Sequence, residues 1–457
     1  MSTPIPASTA GRADPGPTSR PRQADAGSGH LHDVLVVGGG PAGSSCAYWL
    51  AEAGWDVALV EKKVFPREKT CGDGLTPRSV RQIADMGIEG ALTGAHRFSG
   101  LRAHAYGKVL DLPWPEHPSF PSYGYVITRH DLDAIVNERA VKAGATVWQG
   151  SEATTPILAE GGAGRGAGGG RGPLPECVGA MVRDKADGTT RSVRARYVVV
   201  ADGANSRFGR ALGTARDRSQ PMGMALRGYY TSPGHDRSFI ESHLDIRDGD
   251  GKVVPGYGWI FPLGDGRVNV GVGLLSTDKR WKGVNTSTLM DHFVSWAPAE
   301  WELSPATSLG PATGGKLPMG LAVGPRVGAT TLVAGDAAGT INPFNGEGIA
   351  YGYETGRLAA ATLGEALSGG GHEALARYES RLEDAYGLYY RVARAFIRVI
   401  SRPELMHLCV GTGMYSESLM GWILRIMANL LRPDETGPAE AAYRALALIA
   451  RLAPEGV

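Results

Sequence analysis

The segment VLVVGGGPAGSSCAYWL, Val34 to Leu50, constrains this chain more than any other stretch. Val34 to Val37 reads as a short buried strand and Pro41 to Gly54 as a helix. On the turn between them, Gly38, Gly40 and Gly43 stand in G-x-G-x-x-G spacing. Gly38 permits a tight turn, Gly40 lets the backbone approach a pyrophosphate, and Gly43 lets helix and strand pack closely. The helix N-terminus then offers oriented N–H groups to an anion. Val57 to Val60 supplies a second strand, and Glu61 follows it, where a carboxylate can accept hydrogen bonds from ribose hydroxyls. Spacing alone is weak evidence, since Gly164, Gly166 and Gly169 match it too, inside a structureless tract of Gly, Ala and Arg. Strand, helix and terminal acid together make the first motif a dinucleotide site.

The remaining sequence bounds the architecture. Charged residues make up 20% of 457, and a net charge of +1 argues against a nucleic-acid partner. Cys46, Cys71, Cys177 and Cys409 lie far apart without a C-x-x-C pair, so no metal site is expected and a reducing cytosol suits them. Residues 1–30, rich in Ser, Pro, Gly and Ala, read as a disordered tail without the apolar core of a secretory signal. Arg425 interrupts the most apolar stretch, Leu419 to Leu431, so any membrane contact is expected to be peripheral. Discontinuous nucleotide-binding pieces at 31–150, 176–215 and 325–370, with a Gly-rich insertion at 160–175, point to an α/β lobe. An antiparallel-sheet substrate lobe of α+β type is expected at 216–324, followed by a helical region at 371–457.

Two further signatures follow in order. VVVADGANSRFGR sets Asp202 and Gly203 at a strand end, with Arg207 after them. LVAGDAAGTINPFNGEGIAYGYETG ends a strand at Asp336 and leads through Gly339, Gly346 and Gly348 into a long helix. The three motifs together resemble the glutathione-reductase-type FAD fold as used by the p-hydroxybenzoate hydroxylase superfamily. That resemblance implies that Asp336 binds the flavin ribityl chain and that the following helix points its N-terminus at the pyrimidine end of the ring. A reduced flavin is negative there, and helix N-termini stabilise anions.

Two segments narrow the family. FPREKTCGDGLTP, Phe65 to Pro77, is similar to the P-x-x-x-C-G segment of geranylgeranyl reductases. YGWIFPLGDGRVNVGVG, Tyr257 to Gly273, resembles their Y-x-W-x-F-P pattern followed after eight residues by G-x-G. Within this family the chain looks most like the actinobacterial menaquinone reductases. The resemblance implies FAD as cofactor and a polyprenyl lipid or quinone as substrate, one of whose carbon–carbon double bonds is hydrogenated. It places Cys71 and Gly72 beside the flavin, with Cys71 or a water near it as proton source. Outside the resemblance, the other reading of Cys71 is a packed core thiol. Tyr257, Trp259, Phe261 and Pro262 read either as an apolar wall for a polyprenyl chain or as sheet packing. Arg129, opening a helix, reads as a cofactor contact or as a solvated arginine.

No second dinucleotide motif appears, which leaves NAD(P)H, a ferredoxin or free reduced flavin as the external reductant. An FAD-dependent aromatic hydroxylase shares fold and cofactor motifs and is the competing reading. Arg391, Arg394, Arg398 and Arg402 share one face of a helix, opposite Tyr389, Ala393, Phe396, Ile397 and Ile400. Such a helix either packs between domains or touches a membrane, and a lipid substrate favours a cytoplasmic protein at the inner face of the cell membrane.

Overall fold

The computed structural model describes residues 29–160, 173–276, 281, 283–400, 402–432 and 434–452. Most of the expected tail and of the Gly-rich insertion, including Gly164, Gly166 and Gly169, lies outside the described residues.

The chain has a mixed α/β fold built on two seven-stranded sheets. In the first, Thr146–Trp148, Val57–Val60, Leu31–Val37 and Thr190–Val200 run side by side and parallel. Their sequences are near-continuous apolar runs because both faces are covered. Val34, Val36, Leu59 and Val199 face the helices Pro41–Glu52 and Ile349–Glu365. Leu35, Val37, Val198 and Val200 face the other way, onto Phe208 and Leu212. On its other edge the long strand Thr190–Val200 serves two partners. Its first half pairs antiparallel with Cys177–Asp184, and its last three residues pair parallel with Thr331–Val333. Three distant pieces of sequence thereby end at the same edge as the Gly38 turn.

The helices Pro41–Glu52 and Ile349–Glu365 cross almost in backbone contact. A Cβ on Gly356 would come within 2.2 Å of the Ala42 carbonyl oxygen. That close crossing brings the two glycine-rich loops, after Val37 and after Val333, to one spot.

The second sheet has the order Thr313–Pro318, Met222–Thr231, Arg267–Leu275, Gly256–Pro262, Phe239–His243, Gly100–Ala105, Lys108–Pro113. All neighbours are antiparallel except Phe239–His243 and Gly100–Ala105, which run parallel. Its last two strands come from residues 100–113, far upstream of the rest. Alternation divides its faces. Val268, Val270, Val272 and Ile260 pack on the helix Thr286–Trp296 through Leu289, Met290 and Phe293. The opposite face looks towards the first sheet and the C-terminal helices Leu388–Ile400 and Glu417–Met427. Among the described residues no helix is long and apolar enough to cross a membrane.

Candidate functional site

A single cavity of 950 Å³ runs between the two sheets. One end is formed by the Gly38 to Gly40 turn, Glu61, Arg129, Asp202 and Gly203. Its middle is walled by Cys71, Gly72, Asp336, Gly346 and Gly348 together with Tyr257, Trp259 and Phe261. The far end is apolar, closed by Leu101, Ile240, Val410, Met420 and Leu424. Gly43 and Pro262 are outside this wall. Gly43 sits beneath the turn, where a Cβ would meet the Gly38 carbonyl oxygen at 1.8 Å.

The three glycines of the first motif divide by what constrains them. Gly38 has φ +102, and a Cβ there would lie 2.4 Å from the Ala201 carbonyl oxygen. Both it and Gly43 are fixed by the protein itself. Gly40 is different: its φ of −78 and ψ of −172 suit any residue, and a Cβ there meets nothing within 4 Å. The space in front of Gly40 belongs to the cavity, which fits a bound diphosphate. Glu61 is aimed across the same space, its carboxylate held by the amides of Gly39 and Lys63, each at 2.9 Å. Asp202 accepts from the Phe208 amide through one oxygen, while its buried Oδ1 has no protein partner. Asp336, also on the wall, has its carboxyl pushed up by burial and held back by Lys69 and Arg129. A dinucleotide with ribose hydroxyls along this wall would supply the donor that Asp202 Oδ1 lacks.

Arg129 is buried and is not the solvated arginine that its sequence position allowed. It forms a two-pronged pair with Asp133 on the same helix, at 2.7 Å for both contacts. Asp133 also takes Arg67 at 2.9 Å. This fixes the guanidinium beside Cys71.

Cys71 stands half-buried in the cavity wall. Burial pushes its thiol up, the Arg129 charge pulls against that shift, and Asp73 acts both ways, its carboxylate raising the thiol and its amide lowering it. The adjacent Asp73 is fully buried in the left-handed region, at φ 63. Its Oδ2 accepts from Tyr229 at 2.5 Å and Asn269 at 2.8 Å, and its Oδ1 from the Arg129 amide at 3.2 Å. Burial raises its carboxyl to about 6 in spite of these donors. Asn269 also donates to the Cys71 carbonyl at 2.9 Å and accepts from the Trp259 indole at 2.9 Å. One side chain thus ties the aromatic strand to the Cys71 loop. Gly271 makes the tie possible, because a Cβ there would lie 2.1 Å from the Trp259 ring.

Glu347, between Gly346 and Gly348, brings another buried carboxyl to the cavity. Thr76 and Ser79 donate to its Oε1, Oε2 has no partner, and burial raises the group to about 7. Tyr257 donates to the Asn345 carbonyl at 2.7 Å, bracing the same loop. Sequence reasoning singled out none of Asp73, Tyr229, Asn269 and Glu347. Signals existed for three of them: Asp73 and Glu347 are each an acid between two glycines, and Asn269 is a polar interruption in an apolar strand.

A family model described as an FAD binding domain matches residues 32–227. The menaquinone reductase of Mycolicibacterium smegmatis is 38% identical over 419 residues, covering 92% of this chain and 97% of that protein. Digeranylgeranylglycerophospholipid reductase 1 of Methanopyrus kandleri is 31% identical, covering 82% and 91%. Among solved structures, a geranylgeranyl bacteriochlorophyll reductase-like protein from Thermoplasma acidophilum superposes with a TM-score of 0.69 at 23% identity, covering 91% and 96%. A flavin-dependent brominase superposes at 0.67 with 19% identity, covering 93% and 100%, so the fold alone does not separate the two chemistries. Sequence identity over nearly the whole length does: the chain belongs to the geranylgeranyl reductase family of FAD-dependent oxidoreductases, alongside the menaquinone reductases.

Proposed function

We propose that this protein hydrogenates a carbon–carbon double bond in a polyprenyl chain, the isoprenoid side chain of menaquinone being the first candidate. The observation that carries the reading is the continuity of one cavity from the Gly40 turn, past Cys71, to an apolar end. An apolar tunnel of this kind accepts an isoprenoid by burial of its surface, which stabilises by about 25 cal/mol per Å². The finer form of the first lobe is a glutathione-reductase-type Rossmann fold. Its Glu61 would take the adenosine ribose, the Gly40 turn the diphosphate with Asp202 and Gly203 nearby, and Asp336 the ribityl chain. The loop Gly346 to Gly348 opens the helix that faces the pyrimidine ring. Tyr257, Trp259 and Phe261 form the wall against which the alkene lies.

When bound, FAD supplies a hydride equivalent. An isolated alkene has no carbonyl to polarise, so the protein must set geometry and provide the proton. Cys71 holds that proton, kept on the thiol by burial. The thiolate left after transfer is met by Arg129 and the Asp73 amide, which lower the cost of the charge. The Asp73, Tyr229 and Asn269 network holds the loop in its left-handed turn.

The test is direct. The reduced protein is incubated without oxygen with menaquinone and, separately, with a geranylgeranyl lipid, and the products are weighed by mass spectrometry. A gain of two hydrogens on one of them is expected. No gain on either, with oxygen consumed on an aromatic substrate, would put the hydroxylase reading in its place.

Peripheral membrane contact at the inner face of the cell membrane belongs to the same proposal, on altered grounds. The expected arginine stripe is partly engaged within the protein: Arg391 pairs with Glu383, and Arg394 donates to the Gly320 carbonyl at 3.0 Å. Tyr389, Ala393 and Ile397 opposite it are buried, so that helix packs. Exposed apolar side chains lie elsewhere in the C-terminal region, with Tyr415 77%, Leu408 63% and Ile449 64% exposed. Binding to anionic vesicles is therefore expected to survive high salt, since it rests on apolar burial more than on charge. Co-sedimentation of Leu408→Glu and Ile449→Glu variants checks this, with a several-fold loss expected; unchanged binding would sink it.

A further inference from the structure

On the strand Phe239–His243 the residues alternate between two faces. Ile240 and Ser242 line the cavity. Glu241 and His243 point to the opposite face, under Phe293 and Trp301. The parallel neighbour Gly100–Ala105 sets His104 directly across from His243. Both imidazole Nε2 atoms converge on one oxygen, at 3.2 Å for His104 and 3.1 Å for His243 from Glu241 Oε2. Trp301 donates its indole N–H to the same oxygen at 2.9 Å. The other oxygen, Glu241 Oε1, is buried with no partner, on a residue only 1% exposed.

We propose that His104, Glu241 and His243 form a binding site for a divalent first-row metal ion, Zn²⁺ being the best match. Two imidazoles and a carboxylate are the ligand chemistry such ions select. Ligands of a tetrahedral ion sit roughly 3.3–3.5 Å from one another, close to the spacing found here. A cation bound through both oxygens of the carboxylate also answers Oε1, which otherwise lacks any donor. Trp301 then acts from outside the ligand set, orienting the carboxylate as outer partners of metal sites do. The two rings are stacked, with centroids 4.3 Å apart and planes 16° from parallel. For both lone pairs to meet one ion the stack must splay. His104, with its side chain 15% exposed, is the ring at the accessible side, and a water completes the coordination.

Such an ion clamps the strand from residues 100–105 to the rest of the second sheet. The opposite faces of the clamped strands, through Leu101, Ala103 and Ile240, wall the apolar end of the cavity. The metal's role is bracing, remote from the redox chemistry.

The test uses the full-length flavin-loaded protein. It is stripped with a chelator, incubated with zinc chloride, passed through gel filtration and assayed for metal by mass spectrometry, with thermal melting in parallel. About one zinc per chain and a raised melting midpoint are expected. Loss of an outer partner typically lowers affinity ~10–100-fold, so His104→Ala or Glu241→Gln should lose at least that much. A second group, His30, His32 and Asp56, lies near the surface and serves as control. The double change His30→Ala and His32→Ala should leave zinc binding intact. Flavin absorbance and circular dichroism verify that each variant is folded. If Glu241→Gln fails to fold, His104→Ala at the accessible side decides alone. The proposal is overturned if the wild-type protein retains no zinc, if His104→Ala retains as much as wild type, or if only the control loses it. The cluster would then be a carboxylate hydrogen-bonded to one imidazole with a second imidazole beside it.

Discussion

Replacing Cys71 by Ala is expected to leave a folded, yellow protein whose flavin is still reduced but whose alkene hydrogenation falls by ~10²–10⁴, the contribution of a positioned general acid. The fold should tolerate the change because Cys71 lines an open cavity, so loss of its sulfur seals no new void. The Asp73, Asn269 and Tyr229 network uses the Cys71 backbone and not its thiol, and stays whole. Cys71→Ser keeps the shape but offers a much weaker acid, and an intermediate rate is expected. The pH profile separates this donor from its rival. Glu347, whose carboxyl burial raises to about 7, could donate only below that value, so hydrogenation through it would fall as pH rises through about 7. The Cys71 thiol, pushed up from its ordinary range, remains protonated there, and the rate should be flat. Near-normal hydrogenation in Cys71→Ala, with a fall through about 7 that Glu347→Gln abolishes, would move the proton to Glu347.

What could be read in the sequence follows the range of the interactions. A diphosphate site is encoded within some thirty residues, because strand, turn, helix and acid are consecutive. The apolar strands Val34 to Val37 and Val57 to Val60 were legible for the same reason. Arg129 could have been settled as well: Asp133 stands four residues on, one helical turn away, and the two pair. Asp73 could not, since its donors Tyr229 and Asn269 are 156 and 196 residues distant and are brought in by pairing in another sheet. The strands from residues 100–113 lie in that sheet through a parallel pairing with Phe239–His243, and no local pattern announces so distant a neighbour. The arginine stripe misled in another way. Periodicity placed Arg394 on the outer face, yet the Gly320 carbonyl draws its guanidinium inward.

Gly40→Val should yield a folded but colourless protein, whereas Gly43→Ala should yield no folded protein at all. Both residues belong to one motif, in which Gly40 is read as the place of pyrophosphate approach and Gly43 as the place where helix and strand pack. The structure separates them by the atoms a new Cβ would meet: the Gly38 carbonyl at 1.8 Å for Gly43, and none within 4 Å for Gly40. The backbone at Gly40 is extended and accepts a β-branched residue without strain. The melting midpoint of the flavin-free Gly40→Val protein should therefore match that of flavin-free wild type within a few degrees. Its affinity for FAD should fall ~10³-fold or more, about 4 kcal/mol, because the side chain stands where the pyrophosphate must approach the backbone. A Gly40→Val protein that holds FAD tightly would mean the diphosphate lies elsewhere in the cavity. One that fails to fold, like Gly43→Ala, would mean that the protein itself and not the cofactor demands glycine at this position.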